Sequence, residues 1–366
     1  MVLPKPNLGR TGTSPNLNMP RPALLTFLLA AVVARADDST FDAATTDVRP
    51  GVDHRVILHV CDPDGTPLRP LVGDVDVRNR WGRQGGTSVS GDGRLVAFEA
   101  FPSDTPRNIP GSHIFVVDFD GTNVRDLGDG TAASISPDGT RIAYSRLGPA
   151  AARDGARSSG TSIWMQDLVT EEKFLLVDDG GFAPHWSPDG QTIAYTGGPD
   201  PDTGGSHNGF YSDNQGVIRL FDVATGATRN AYPAGQSPFG SIYFAFGWAT
   251  DGTRRIVFGG RKTDVAEELV AVIDVDAGIE SLRTVRTHPP DGDVRIMGPM
   301  IFTPDHRSVL LISETGGWKR QTEISLADGQ IRRVLPGPPP ETNAIDPAYT
   351  PDGRHLILSL AGGKTW

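Results

Sequence analysis

The sequence predicts an all-β protein, a six-bladed β-propeller of four-stranded antiparallel blades closed by pairing the N-terminal hairpin with the C-terminal hairpin. Three observations carry that expectation. One short text, seen most fully in Ser134-Ile-Ser-Pro-Asp-Gly-Thr-Arg-Ile-Ala-Tyr144, recurs six times; the copies are spaced at similar intervals; and the repetitive part begins and ends on complementary half-units.

The recurring text is a hairpin by its chemistry. Pro137 presets φ for the first corner of a turn, Asp138 can bond its own downstream backbone, and Gly139 accepts positive φ. After the turn, Ile142 and Tyr144 point one way and Arg141 and Ala143 the other, the period-two signature of a strand. The relatives are Ser88 to Phe98, His185 to Tyr195, Gly247 to Phe258, Ile301 to Leu311 and Ala348 to Leu358. Their turn aspartates, Asp92, Asp138, Asp189, Asp251, Asp305 and Asp352, differ by 46, 51, 62, 54 and 47 residues. Such a period means stacked repeats.

Between copies lies a second hairpin. Val217 to Phe221 and Ala227 to Ala231 flank Thr225-Gly226, and His113 to Val117 and Asn123 to Leu127 flank Asp120-Gly121. Each period therefore holds four short strands, as a propeller blade does. The chain opens on an orphan hairpin of the second kind, Arg55 to Leu71, and finishes on an orphan of the first kind, Pro347 to Leu360. Joined, they complete a blade and remove two exposed sheet edges. The large residues that recur one position into each copy, Val89, Ile135, Trp186, Trp248, Phe302 and Tyr349, are expected in the core between blades.

Composition bounds the partners. The 366 residues carry a formal net charge of −10 with no Lys/Arg run, so nucleic acid is not expected. Near the N-terminus, Arg21 precedes the apolar stretch Ala23 to Ala34, then Ala34-Arg35-Ala36 and Asp37-Asp38. That order is a secretory signal peptide cleaved after Ala36, with Met19 as a second possible start. Roughly a dozen apolar residues are too few to span a bilayer, so no transmembrane anchor is expected. Residues 1–36 thus read as leader, 37–53 as linker and 54–366 as propeller, in a periplasmic or secreted protein that is a monomer. Cys61, the single cysteine, has no disulfide partner in the chain and reads as a buried inert thiol.

The Ser/Thr-Pro-Asp-Gly hairpin, at this spacing and behind a signal peptide, resembles the WD40-like PD40 repeat of TolB-type propellers. The resemblance spans residues 55 to 360 and implies an extracytoplasmic propeller that binds partners. This sequence departs from the pattern at Ser90-Gly91, at Ala249-Thr250 and at His306, which stands where glycine is expected. TolB also carries an α/β domain before its propeller, and here about 18 residues separate the signal from the first strand, which sets a Tol-Pal role in doubt.

Chemistry is expected where the repeats stop repeating. The turns inside hairpins are tight, whereas the other connections, such as residues 72 to 86, 197 to 216 and 287 to 299, are long and emerge around the mouth of the central channel, where binding residues collect. Arg80, Trp81, Arg83, Phe182, His185, Tyr243, Arg295 and Asp346 are the candidate ligand or partner residues, since aromatics and arginines dominate binding hot spots. Trp81 reads equally as packing under its own loop, and His185 as a structural histidine. No nucleophile elbow occurs, and Gly362-Gly363-Lys364-Thr365 lacks the first glycine and the helix of a phosphate loop.

Asp200, Asp202, His207 and Asp213 crowd one loop without EF-hand spacing, so no metal is expected, nor any cofactor. Glu171-Glu172 and Glu267-Glu268 read as solvated surface. Two functions fit: a non-enzymatic binding scaffold for a protein or cell-envelope ligand, and an extracytoplasmic lyase or hydrolase of acidic oligosaccharides that would use His185, Arg83 and Arg295.

Overall fold

The structure, a computed structural model, describes residues 55–103, 111–147, 160–178, 180–202, 206–207, 216–237, 239–243, 245–262, 267–288, 295–315, 318–336 and 342–362, all within one compact unit. The leader, its cleavage site, the linker, Asp213, and the side chains of His207 and Arg295 lie outside the described residues.

The chain is all-β, with a β-propeller arrangement of antiparallel blades. Three sheets have four strands and one has five, each running outward from the first hairpin of its repeat. An eight-stranded sheet holds the two ends of the repetitive part: Val56–Cys61 lies antiparallel to Leu356–Gly362, from Val56↔Ala361 to Cys61↔Leu356. The same strand touches Arg83–Val89 through one parallel bridge, Val56↔Arg83. Among the described residues no helix is long and apolar enough to cross a membrane.

The repeated turn holds itself together through two side chains. Ser90, Ser136, Ser187, Thr303 and Thr350 each donate a hydroxyl to the turn aspartate two residues on, at 2.6, 2.5, 2.5, 2.7 and 2.6 Å. The same hydroxyl oxygens accept the backbone N–H of Leu95, Arg141, Thr192, Ser308 and His355, which starts the second strand. In the fourth copy Ala249 has no hydroxyl, and Asp251 takes Thr253 and the Arg255 guanidinium instead. Although partial burial opposes it, these bonds hold the Asp251 carboxyl down at about 2.

The recurring large residues pack as the pattern requires: Ile135, Trp186, Trp248 and Phe302 are buried in clusters that join neighbouring sheets. Arginines at the start of second strands cover them, with Arg141 5.0 Å above Trp186 and Arg255 5.4 Å above Phe302. Cys61 is fully buried, and loss of hydration pushes its thiol up to about 12.

Two elements differ from the sequence expectation. The connection 72 to 86 contains a short helix, Val75–Arg80, because Asp74 accepts the N–H groups of Asp76 and Val77 and caps it. The inner strands also begin earlier than alternation suggests, at Arg83, Thr131, Phe182, Arg295 and Thr342, since each carries a bulge. A bulge inserts residues that break the two-residue period.

Substituting Ser136, which is 1% exposed, by alanine leaves the Arg141 N–H without its acceptor. Urea unfolding should show a loss of about 1–3 kcal/mol; an unchanged midpoint would show that the hydroxyl is dispensable to the turn.

Candidate functional site

Inner strands of adjacent sheets lie side by side without a hydrogen-bonded ladder, so side chains must satisfy their backbone. Ser88 Oγ accepts the N–H of Ile135 at 3.1 Å, and Ser134 Oγ accepts that of Trp186 at 3.0 Å, each from the next inner strand. The bulge residues Gly86, Ala132, Ala183 and Asp346 stand at equivalent places, six before the turn aspartate, and all have positive φ. Ala183 N–H is taken by Ser145 Oγ at 2.9 Å.

At two of these places a carboxylate does that work. Glu99 Oε2 accepts the Ala132 N–H at 2.6 Å and the Thr131 hydroxyl. Asp346 takes the Gly86 N–H, its backbone carbonyl accepts Thr87 Oγ1 at 3.0 Å, and its Oδ2 lies 3.3 Å from Ser359 Oγ.

Both carboxylates press on one dipeptide. A Cβ at Gly85 would stand 2.6 Å from Asp346 Oδ2, and a Cβ at Gly86 3.2 Å from the Glu99 carboxyl carbon. Gly85-Gly86 is therefore the space in which the two acids meet. Both side chains retain partial water access while enclosed by protein.

Enclosure disfavours two negative charges together. Loss of hydration raises the Glu99 carboxyl, with the Thr131 and Ala132 bonds opposing. Burial first, then the charge of Glu99, pushes Asp346 up to about 6, against the Gly86 N–H, Ser359 and Lys319. Protonated Asp346 can donate to Ser359 Oγ, which in turn donates to the Gln84 carbonyl at 3.0 Å. When ionised, each group only accepts, so either can receive a cationic donor.

Of the residues the sequence nominates, Asp346 and Arg83 belong here, Arg83 opening the strand that carries Gly85-Gly86. Tyr243 donates to Glu268 at 2.8 Å, so Glu268 is not merely solvated, and burial raises the phenol to about 12. His185 is half-buried with its ring 4.4 Å from Phe246, and its carbonyl accepts Trp248 Nε1.

Trp81 and Phe182 require correction as contact residues. Trp81 is 6% exposed, 4.6 Å from His113 and edge-on to Phe115 at 5.1 Å, and Phe182 is 2% exposed. Their rings serve the core and offer no surface to a partner. Arg80 is exposed and lies 5.7 Å from the Trp81 ring. The backbone of Arg295 stands opposite Glu314 of the next strand in its sheet.

The loop with Asp200 and Asp202 is engaged by donors: Asn230 Nδ2 reaches the two carboxylates at 3.0 and 2.9 Å, and buried Arg219 lies 3.7 Å from Asp200. Among the described residues no three His, Cys, Asp or Glu side chains are grouped to hold a metal ion.

No family model matches this sequence, and a search of curated proteins finds no match. Solved structures do match. TolB from Agrobacterium tumefaciens superposes with a TM-score of 0.55 over 85% of this chain and 99% of that one, at 15% identity. TolB from Acinetobacter baumannii gives 0.51 over 87% and 67%, at 16% identity.

The fold is that of the TolB-type β-propellers.

A chain from a nidogen/laminin complex gives 0.50 over 77% of this chain and 94% of that one at 8% identity, so the TolB-like fold is shared well beyond TolB.

Two measurements probe the carboxylate pair. An acid whose native value is raised from about 3.9 to about 6 lends stability that is complete below about pH 4 and gone above about pH 6. Asp346→Asn should flatten the fall in unfolding free energy across that window; a slope equal to wild type would detach the raised value from Asp346. Gly85→Ala should cost about 1–3 kcal/mol through overpacking. In an Asp346→Gly background, where the facing carboxylate is gone, the same change should cost far less.

Proposed function

We propose that this protein is an exported β-propeller, periplasmic or secreted and monomeric, that binds a protein or cell-envelope ligand non-enzymatically at its loop-rich end. The propeller is read as six-bladed and closed. The eight-stranded sheet divides into two four-stranded blades at its single parallel bridge, Val56↔Arg83, and inner strands contact one another in the order Arg83–Val89, Thr131–Ile135, Phe182–Trp186, Gly247–Trp248, Arg295–Phe302, Thr342–Tyr349 and back to the first. Pairing of Val56–Cys61 with Leu356–Gly362 supports the closure.

The observation that carries the reading is the Glu99–Asp346 pair. It lies at the end of the inner strands from which the long connections leave, enclosed but reachable by water. Enclosed acceptors of like charge favour a cationic group, such as a lysine or arginine side chain or a free amine, placed between them. Arg80 and Arg83 stand on the connection and strand that lead to the pair and would complement acidic groups of the same ligand. A TolB-like scaffold in the cell envelope accords with the signal peptide in the sequence.

The alternative, a propeller enzyme acting on acidic oligosaccharides, draws on Asp346 as an acid or base with a value near neutrality. Two carboxylates at the same spot repel a uronate, and the binding reading is preferred for that reason.

Immobilised protein beginning at Asp37 tests the proposal against an envelope extract. Capture should fall at least about tenfold (about 1.4 kcal/mol) for Glu99→Gln/Asp346→Asn and for Arg80→Ala/Arg83→Ala. It should be unchanged for Arg94→Ala, which is exposed beside a hairpin turn. Equal capture by all four proteins would refute the loop-end site, and a chain retained in the cytoplasm with its leader uncleaved would refute the export route.

A further inference from the structure

The opposite end of the molecule, where the tight turns lie, carries two grooves at successive sheet junctions, and their charge is arranged differently. One groove, of about 480 Å³, lies between the sheets containing Asp189 and Asp251. Its arginines are neutralised on the spot: Arg254 binds Asp189 at 2.6 Å and Asp276 at 3.0 Å, and Arg229 binds Asp276 at 3.3 Å. Nothing in that groove calls for a ligand.

The next groove, of about 760 Å³, is lined by five arginines, Arg255, Arg283, Arg307, Arg332 and Arg333, against two carboxylates, Asp305 and Glu323. Three of the guanidinium groups are engaged by carboxylates, Arg255 with Asp251 at 2.5 Å, Arg332 with Asp328 at 3.2 Å and Arg333 with Glu323 at 2.8 Å. The other two are not. Arg283 spends only Nη1, on the Leu326 carbonyl at 2.6 Å, and Arg307 makes no side-chain hydrogen bond or ion pair to a described residue. Both are exposed, and they enter from opposite walls, Arg283 from the strand Arg283–His288 and Arg307 from the turn after Phe302.

This turn is also the one whose glycine is replaced. His306 holds φ 55 there, and its Nε2 accepts the Thr250 N–H at 3.0 Å, tying the Arg307 turn to the neighbouring sheet. A histidine in the left-handed region is uncommon, and its cross-sheet bond gives the groove a fixed wall. In a chain of net charge −10, a walled groove with two uncommitted guanidinium forks runs against the general field.

We propose that this groove binds a compact polyanion, whose phosphate or carboxylate oxygens are gripped by Arg283 and Arg307. Planar guanidinium forks match such oxygens in paired hydrogen bonds, and the volume lies in the range of small-molecule sites. The aromatic ring in the lining, His306, is held by the Thr250 N–H of the neighbouring sheet, so recognition is by charge and fork geometry. The site is independent of the loop-end reading, and either can fail alone.

Titration calorimetry of the full chain with tripolyphosphate and, separately, with citrate tests it at low salt and again at high salt. Saturable binding of at least one probe that weakens as salt rises is the expected result; tripolyphosphate alone assigns phosphate groups, citrate alone carboxylates. Arg307→Gln should weaken that binding at least tenfold, Arg283→Gln/Arg307→Gln should abolish it, and Arg229→Gln in the neutralised groove should leave it unchanged. No saturable binding of either probe to the wild type, or Arg307→Gln binding as tightly as wild type, overturns the proposal. The Arg307 side chain has no hydrogen bond or ion pair to a described residue to lose, so the single variant decides even where the double variant fails to fold.

Discussion

The constraint on which the structure depends is the backbone of the inner strands. Within a sheet their N–H groups find ladder partners on one side only, and on the other they face the inner strand of the next sheet, with which they form no ladder. A buried N–H left unsatisfied costs about as much as a lost hydrogen bond. The answer recurs at successive junctions of the first three repeats: Ser88 serves Ile135, Ser134 serves Trp186, and Ser145 serves Ala183. These bonds also couple one sheet to the next, so the same hydroxyls that satisfy the backbone hold the buried Ile135 and Trp186 in place.

Against that pattern the two carboxylates stand out physically. Ser145 shows that a neutral hydroxyl suffices for a bulge N–H, yet at Ala132 the acceptor is Glu99 and at Gly86 it is Asp346. An enclosed carboxylate is dearer than a hydroxyl because its charge loses hydration, and two facing one another are dearer still. Local needs of the fold therefore do not account for this pair, nor for the glycines that give it room. Sites where a cheaper residue would serve the scaffold are where function is expected to override local consistency.

How much of this was legible in the sequence follows from what each residue has to do. The turns were readable because Ser136, Pro137, Asp138 and Gly139 each act within five residues of one another, so the text and the hydrogen bonds coincide. The helix at Val75–Arg80 was missed because six residues are too short for a periodic signal, although Asp74 carried the cap. The site was only half visible. Asp346 was picked out from its loop, but Glu99 sits inside a strand whose alternation marks it as an ordinary outward residue, and its bulge partners hide the register. The signal was in the comparison between repeats: seven residues after the turn aspartate stand Ser145, Thr196 and Ser359 in three other copies, and Glu99 in the first. Trp81 and Phe182 were chosen by residue type, which cannot distinguish a ring at a surface from a ring beneath it.

The charge of the molecule is sorted by end rather than by amount. At the turn end the hairpin aspartates are engaged by their own loops, as Asp92 is by Ser90 and Arg94, and Asp189 also by Arg254 of the next sheet, so these acids contribute geometry more than outward field. That leaves the arginines of the second strands to decide the local sign: where Asp276 reaches across, as with Arg229 and Arg254, the junction closes on itself. At the next junction Leu326 stands where Val275 does and Ala327 where Asp276 does, and Asp328, one place on, turns back to Arg332 in its own hairpin. The loss of one cross-seam carboxylate and the turning of Asp251 to Arg255, where Asp189 reaches Arg254, thus convert a neutral seam into a basic groove, while the acidic pair at the loop end is created by carboxylates standing in for hydroxyls. Opposite charges at the two ends arise from substitutions at equivalent places of one repeat, which keeps the scaffold constant while its surfaces diverge.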